Sequence, residues 1–192
     1  MNKTVIMASG SFYGWTSETP RQMVEISGEK LLYRTIRQLK ERGVKDITVI
    51  VPSKNAFGKL PVKQVVGNNG YGLHNILNTK PIVKDKGLII FGDTCFKDNA
   101  MDIIVKSSDD MMFFGSTIGE MFAIRTSKLL YKKAKELHLQ LDNSNISEQW
   151  KLYRYVNGQP IDIHKMGEHF TYIDDGTDDI DYPRDYEKMK EW

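Results

Sequence analysis

Three features of this chain predict an α/β fold: a mixed, mainly parallel sheet flanked by helices, in one domain spanning residues 1–192. The first is a strand, helix, strand order near the N-terminus, the pattern of a parallel unit. Thr4–Ala8 (TVIMA), Glu29–Arg42 (EKLLYRTIRQLKER) and Asp46–Val51 (DITVIV) supply its parts. The second is the apolar run Gly87–Phe91 (GLIIF), which fits a central strand covered on both faces. The third is length: 192 residues are enough for one sizeable core.

The elements follow from local pattern. In the first helix Leu32, Ile36 and Leu39 recur at helical spacing, and Gly43 stands where a left-handed C-terminal cap belongs. Val62–Val66 reads as a further strand and Gly72–Leu77 as a short helix. Met111–Phe114 and Met121–Arg125 are strand candidates. Ser127 offers an N-cap to KLLYKKAKELH, whose Leu130, Ala134 and Leu137 form one stripe. The segment WKLYRYVNGQPIDI reads as extended or irregular, with a turn at Asn157–Gly158. Phe170–Asp174 is a late strand, and Pro183 opens a closing helix from its first position.

Composition narrows the function classes. A formal charge of +2 leaves no basic footprint for nucleic acid. No apolar run reaches the roughly 18 residues of a membrane span. One cysteine, Cys95, excludes an internal disulfide framework and fits a reducing, cytoplasmic setting. His74, His138, His164 and His169 share no tight metal spacing.

Three stretches carry candidate chemistry. In open α/β sheets ligands gather beyond the carboxyl ends of the strands. The loop ASGSFYGWTSETPRQ follows the first strand there. Gly10 and Gly14 would let backbone N–H groups approach phosphate oxygens, although for the loop taken alone a tight strand-to-helix turn is the simpler explanation. Asp93, in Gly92-Asp93-Thr94, follows the buried strand and is placed either to bind Mg²⁺ or to form a turn. Finally, IDDGTDDIDYPRDY crowds acids ahead of a helix. Asp185 complements the helix dipole, whereas the rest repel one another unless a cation intervenes.

Taken together these stretches resemble the nucleotidyltransferases of GT-A-like, Rossmann-like fold. Ala8-Ser9-Gly10, Pro20-Arg21 and Gly28-Glu29-Lys30-Leu31-Leu32 resemble that family's opening loop, its Pro-Lys and its Gly-Lys-Pro-Leu-Leu. Gly92-Asp93 resembles its metal-holding Gly-Asp, and DIDYPRDY its Asp-Ile-Asp-Thr-Pro-Glu-Asp ending. The chain departs in three places. The loop runs Gly10-Ser11-Phe12-Tyr13-Gly14-Trp15 without the usual Arg, Arg21 replaces Lys, and Tyr182 replaces Thr.

The resemblance implies transfer of a nucleoside monophosphate from a triphosphate to a phosphorylated alcohol or sugar, with release of pyrophosphate. Arg21 and Asp93 are the implied catalytic residues. Asp93 with Asp179 and Asp181 would hold Mg²⁺, Asp174 being a second choice. Ala8, Ser9, Gly10 and Ser11 would face the triphosphate, and Asn69 and Gly70 the base. Glu120, Trp150, Tyr153 and Arg154 are acceptor-pocket candidates by position. The compact chain favours CTP among the triphosphates. The resemblance implies no nucleic-acid or membrane partner and is compatible with a homodimer. Two alternatives stand beside it. One is a non-catalytic nucleotide-binding protein on the same fold. The other is a glycosyltransferase, whose usual Asp-x-Asp is here Gly92-Asp93-Thr94-Cys95.

Overall fold

A computed structural model describes residues 3–10, 14–67, 72–116, 120–141, 149–161 and 165–192. The chain opens with β1 (Lys3–Met7), a single 3-10 turn (Arg21–Met23), and the short strands β2 (Glu25–Ile26) and β3 (Glu29–Lys30). Next come α1 (Leu31–Glu41), β4 (Ile47–Val51), β5 (Lys63–Val66), α2 (Leu73–Val83), β6 (Gly87–Phe91) and β7 (Thr94–Cys95). Then follow α3 (Asp98–Lys106), β8 (Met112–Gly115), β9 (Met121–Thr126), α4 (Lys128–Gln140) and α5 (Gln149–Val156). The chain closes with β10 (Phe170–Tyr172), β11 (Asp178–Asp179) and α6 (Pro183–Met189).

The main sheet has the order β10-β8-β9-β6-β1-β4-β5. β1 pairs in parallel with β4 and β6, β4 with β5, and β8 with β10. β9 runs antiparallel to β6 and β8. The expected mixed, mainly parallel sheet is therefore observed. Its central strands alternate between two cores. Ile6, Leu88 and Ile90 point to a face packed by Leu32, Ile36 and Leu39 of α1 and by Met101 and Ile104 of α3. Val5, Ile89 and Phe91 point to the opposite face, against α2, α4 and α5. Helices on both faces explain why β6 is apolar throughout.

A third, smaller cluster joins Val24, Ile26, Leu31, Cys95, Ile180 and Met189, with Trp15, Tyr186 and Trp192 around it. It ties the β2–β3 hairpin and α6 to the β7–β11 pair. The hairpin turns through Ser27 and Gly28, both at positive φ (47° and 79°). Two such residues between strands are the requirement of a type I′ turn, which is why Gly28 stands there. The Ser27 amide donates to the Lys190 carbonyl at 2.7 Å and its hydroxyl to the Trp192 carbonyl at 2.5 Å. The C-terminal segment is thereby tied to this turn.

Several boundaries differ from the sequence-based reading. Glu29 and Lys30 belong to the hairpin, so α1 begins at Leu31. α2 runs on through Pro81 to Val83, because Thr79 and Val83 are buried and the Thr79 hydroxyl meets Tyr131 Oη at 2.6 Å. α3 falls between the expected elements. The largest difference is α5: Gln149–Val156 is helical and not extended. Its aromatic residues favour strands locally, but burying Leu152 and Tyr153 against the sheet overrides that preference. The Ser127 cap is present, its hydroxyl accepting from the Leu130 amide at 3.1 Å.

Candidate active site

The β1–β6 pair lies where the chain switches direction across the sheet. β4 and β5 extend to one side of β1, and β6 returns on the other. The carboxyl ends of β1 and β6 therefore open a crevice. Because β9 is antiparallel, its first residues, not its last, reach the same edge. A cavity of about 290 Å³ lies there. Met7 and Gly10 line it from the β1 end, Phe91 and Asp93 from the β6 end, and Glu120 and Met121 from the β9 end. Asp179 and Asp181 complete its acidic wall.

Local structure brings the two acidic stretches together. β7 pairs antiparallel with β11, placing Asp179 opposite Thr94. Buried Ile180 then anchors the strand in the third core cluster. Strand alternation puts Asp179 and Asp181 on the opposite side from Ile180, facing the cavity. Arg21 enters from the 3-10 turn. Its Nη2 lies 2.6 Å from Asp93 Oδ2, and its Nη1 lies 2.5 Å from Asp181 Oδ1. Nη1 also lies 3.4 Å from the Ile180 carbonyl. One buried guanidinium thus bridges both acids.

The electrostatics are those of crowded carboxylates. Burial, followed by the charges of Asp93, Glu120, Asp181 and Asp178, pushes Asp179 up to about 9. Burial is also the main cause raising Glu120 and Asp181, with Arg21 partly offsetting the rise at Asp181. A site that makes its own carboxylates hold protons favours added positive charge. Among the described residues, no three acidic, imidazole or thiol side chains are arranged to close on one metal ion. Arg21 fills the space between two of the expected ligands.

No protein-family model matches the chain. An alignment 72 positions long, covering 31% of this chain, shows 35% identity to the bifunctional IPC transferase and DIPP synthase of Aquifex aeolicus and spans 17% of that protein. The inositol-1-phosphate CTP transferase from T. maritima superposes with a TM-score of 0.66 at 14% identity, covering 96% of this chain and 91% of that one. HddC from Yersinia pseudotuberculosis, solved with GMP-PN, gives a TM-score of 0.59 at 19% identity, covering 99% and 98%. The chain has the nucleotidyltransferase fold.

Within that nucleotidyltransferase fold the expected residues divide. Arg21, Asp93, Asp179, Asp181, Gly10, Glu120 and Trp150 share the cavity. Ala8 does not offer its amide to a ligand: that N–H donates to the Ile50 carbonyl at 3.0 Å, and the side chain is buried. Ser9 is buried beside it and is not part of the cavity wall. Ser11, Asn69 and Gly70 lie outside the described residues.

Tyr153 and Arg154 are corrected from acceptor-pocket to core positions. The Tyr153 ring packs edge-on against Phe113, Trp150 and Phe170. Its hydroxyl accepts from the Gly167 amide at 2.6 Å and donates to the Glu168 carbonyl at 3.2 Å. Arg154 is buried and donates to the Ile161 carbonyl. The helical form of α5 is the reason: it turns Trp150 toward the cavity and carries the next two candidates inward. Asp174 is exposed and outside the cavity, and Asp175 is used structurally, accepting from the Ala100 amide at 2.8 Å at the start of α3. Asp185 accepts from the Tyr182 amide at 2.8 Å, as expected of an acid at a helix start.

Gln22, Asn75 and Gln149 also line the cavity, and no motif in the sequence singles them out. Gln22 adjoins Arg21. Asn75 follows His74 in α2, between Leu73 and Ile76, where ordinary helical patterning admits polar residues, so local sequence carries no signal for it. No helix among the described residues is long and apolar enough to cross a membrane.

Proposed function

We propose that this chain transfers a nucleoside monophosphate from a nucleoside triphosphate to a phosphorylated acceptor, releasing pyrophosphate. The observation carrying the proposal is the convergence of Arg21, Asp93, Asp179 and Asp181 in one cavity at the switch point of a nucleotidyltransferase fold. The named functions of the relatives support it: a CTP transferase acting on inositol 1-phosphate and an IPC transferase.

An acceptor phosphate oxygen attacks the α-phosphorus, one P–O bond forms, and the bond to the β-phosphate breaks. The nucleophile is already an anion, so no side chain has to act as a strong base. What remains for the protein is in-line placement and charge neutralisation. Arg21 neutralises the phosphate oxygens, its planar fork matching two of them at once. Gly10, without a Cβ, leaves the β1 loop open for their approach.

The residues present fit a divalent cation such as Mg²⁺. They offer hard carboxylate oxygens, and two of these already meet on one positive group. Asp93 and Asp181 would hold the ion in the place Arg21 now takes, with Asp179 drawn in beside them, and when bound it would neutralise charge on the transferring phosphate. Trp150 offers a flat apolar surface, and Glu120 a polar group, to the acceptor's ring or polyol. The base contact is assigned to Asn69 and Gly70, with CTP as the triphosphate to try first.

The test is pyrophosphate release with each of the four triphosphates, Mg²⁺ and a panel of sugar and polyol phosphates. Turnover is expected with one pair. Asp93→Ala and Arg21→Ala should each lower kcat by about 10²–10³-fold. Sugar transfer from a nucleotide sugar, or no turnover and no binding with any triphosphate, overturns the proposal.

A further inference from the structure

Arg21 occupies the position that the site's chemistry assigns to a metal. Its two terminal nitrogens each hold one of the acids, Asp93 and Asp181. The same guanidinium borders the phosphate side of the cavity: a Cβ added at Gly10 would lie 3.9 Å from Arg21 Nη2. Arginine cannot step aside by losing its proton. It leaves the two carboxylates only by moving to another anion.

Resting on the reading above, we propose that Arg21 is a built-in counter-ion that closes the Asp93–Asp181 pair in the ligand-free protein and yields it to a divalent cation when triphosphate oxygens take the guanidinium. Three consequences follow from charge alone. A metal arriving first must displace Arg21 and leave a buried cation without its carboxylates, which is unfavourable. A triphosphate arriving first must share Arg21 with two acids. Arriving together, each ligand relieves the other's penalty: the phosphates neutralise Arg21 and the metal neutralises the acids. Metal and nucleotide therefore bind cooperatively, and by linkage each tightens the other by the same factor. Arg21 is in this sense a positioning residue before it is a phosphate clamp.

The experiment measures the affinity of Mn²⁺ alone by calorimetry for the wild type, Arg21→Gln and Arg21→Lys, with thermal melting to establish folding. A parallel arm measures binding of each of the four α,β-methylene nucleoside triphosphates to the wild type with and without Mn²⁺. Arg21→Gln should bind Mn²⁺ alone at least tenfold more tightly than the wild type. Arg21→Lys should fall between them, because one ammonium cannot bridge both acids. Mn²⁺ should tighten triphosphate binding to the wild type at least tenfold. If Arg21→Gln proves unfolded, Arg21→Lys decides, and an affinity equal to the wild type overturns the inference. Equal Mn²⁺ affinity in all three proteins, with Mn²⁺-dependent triphosphate binding intact, overturns this inference and leaves the proposed function standing. No triphosphate binding by the wild type, with or without Mn²⁺, overturns both.

Discussion

The Ile180 amide donates to the Asp93 carbonyl at 2.9 Å. That bond joins the two acidic stretches through their backbones, so the separation of Asp93 from Asp179 and Asp181 is set by a strand pair and not by flexible side chains. Ile180 itself is fully buried and belongs to the cluster under the β2–β3 hairpin and α6. Ile180→Ala should cost about 2–5 kcal/mol of stability. It should also lower kcat more than it raises the acceptor KM, since it loosens the acids. Urea denaturation and steady-state kinetics check this; an unchanged midpoint refutes the anchoring role.

Asp179 predicts a pH dependence with a definite sign. In the folded protein it is pushed from 3.8 up to about 9, by burial first and neighbouring acids second. Between those values the folded chain holds a proton that the unfolded chain has released. The associated stability is complete below pH 4 and is lost as pH rises through about 9. Asp179→Asn should remove that slope and raise the Tm of the ligand-free protein at pH 8, while reducing turnover in the proposed reaction. Melting temperatures of both proteins across the range decide it, and parallel curves count against the assignment.

Gly115 predicts a steric effect at the Glu120 side of the cavity, the side proposed to take the acceptor. It lies at the irregularity where β8 shifts register against β9. A Cβ there would meet the Glu120 carbonyl at 2.0 Å and the Phe170 ring at 2.9 Å. Gly115→Ala should therefore push apart the strand ends that carry Glu120, lowering stability by about 1–3 kcal/mol and raising the acceptor KM. A KM within twofold of the wild type, in a folded variant, refutes the link.

Cys95 predicts alkaline behaviour away from the chemistry. Burial pushes its thiol from 9.0 up to about 11. Its contribution is complete below pH 9 and is lost as pH rises through about 11, at no more than about 1.4 kcal/mol per pH unit. Cys95→Ala should be less stable at pH 7, and the difference from the wild type should shrink by pH 11. Denaturant midpoints at both values test this, and a constant difference excludes it.

The α/β class, the apolar central strand, the Ser127 cap and the identity of the acids are all legible in the order of the residues, because each is written in local pattern. Leu32, Ile36 and Leu39 announce their helix, and the acidic stretch announces repulsion that something must relieve. Other features depended on contacts between distant residues. The aromatic segment around Trp150 looks extended until the sheet is present for Leu152 and Tyr153 to pack on. That helix separates Trp150, in the cavity, from Tyr153 and Arg154, in the core. Likewise the resemblance implies a phosphate role for Arg21, whereas its bridging of Asp93 and Asp181 depends on the β7–β11 pairing that brings those acids together. Local propensity acts over a few residues, whereas the closeness of these charges is produced by strand pairing and core burial, which no short stretch of sequence contains.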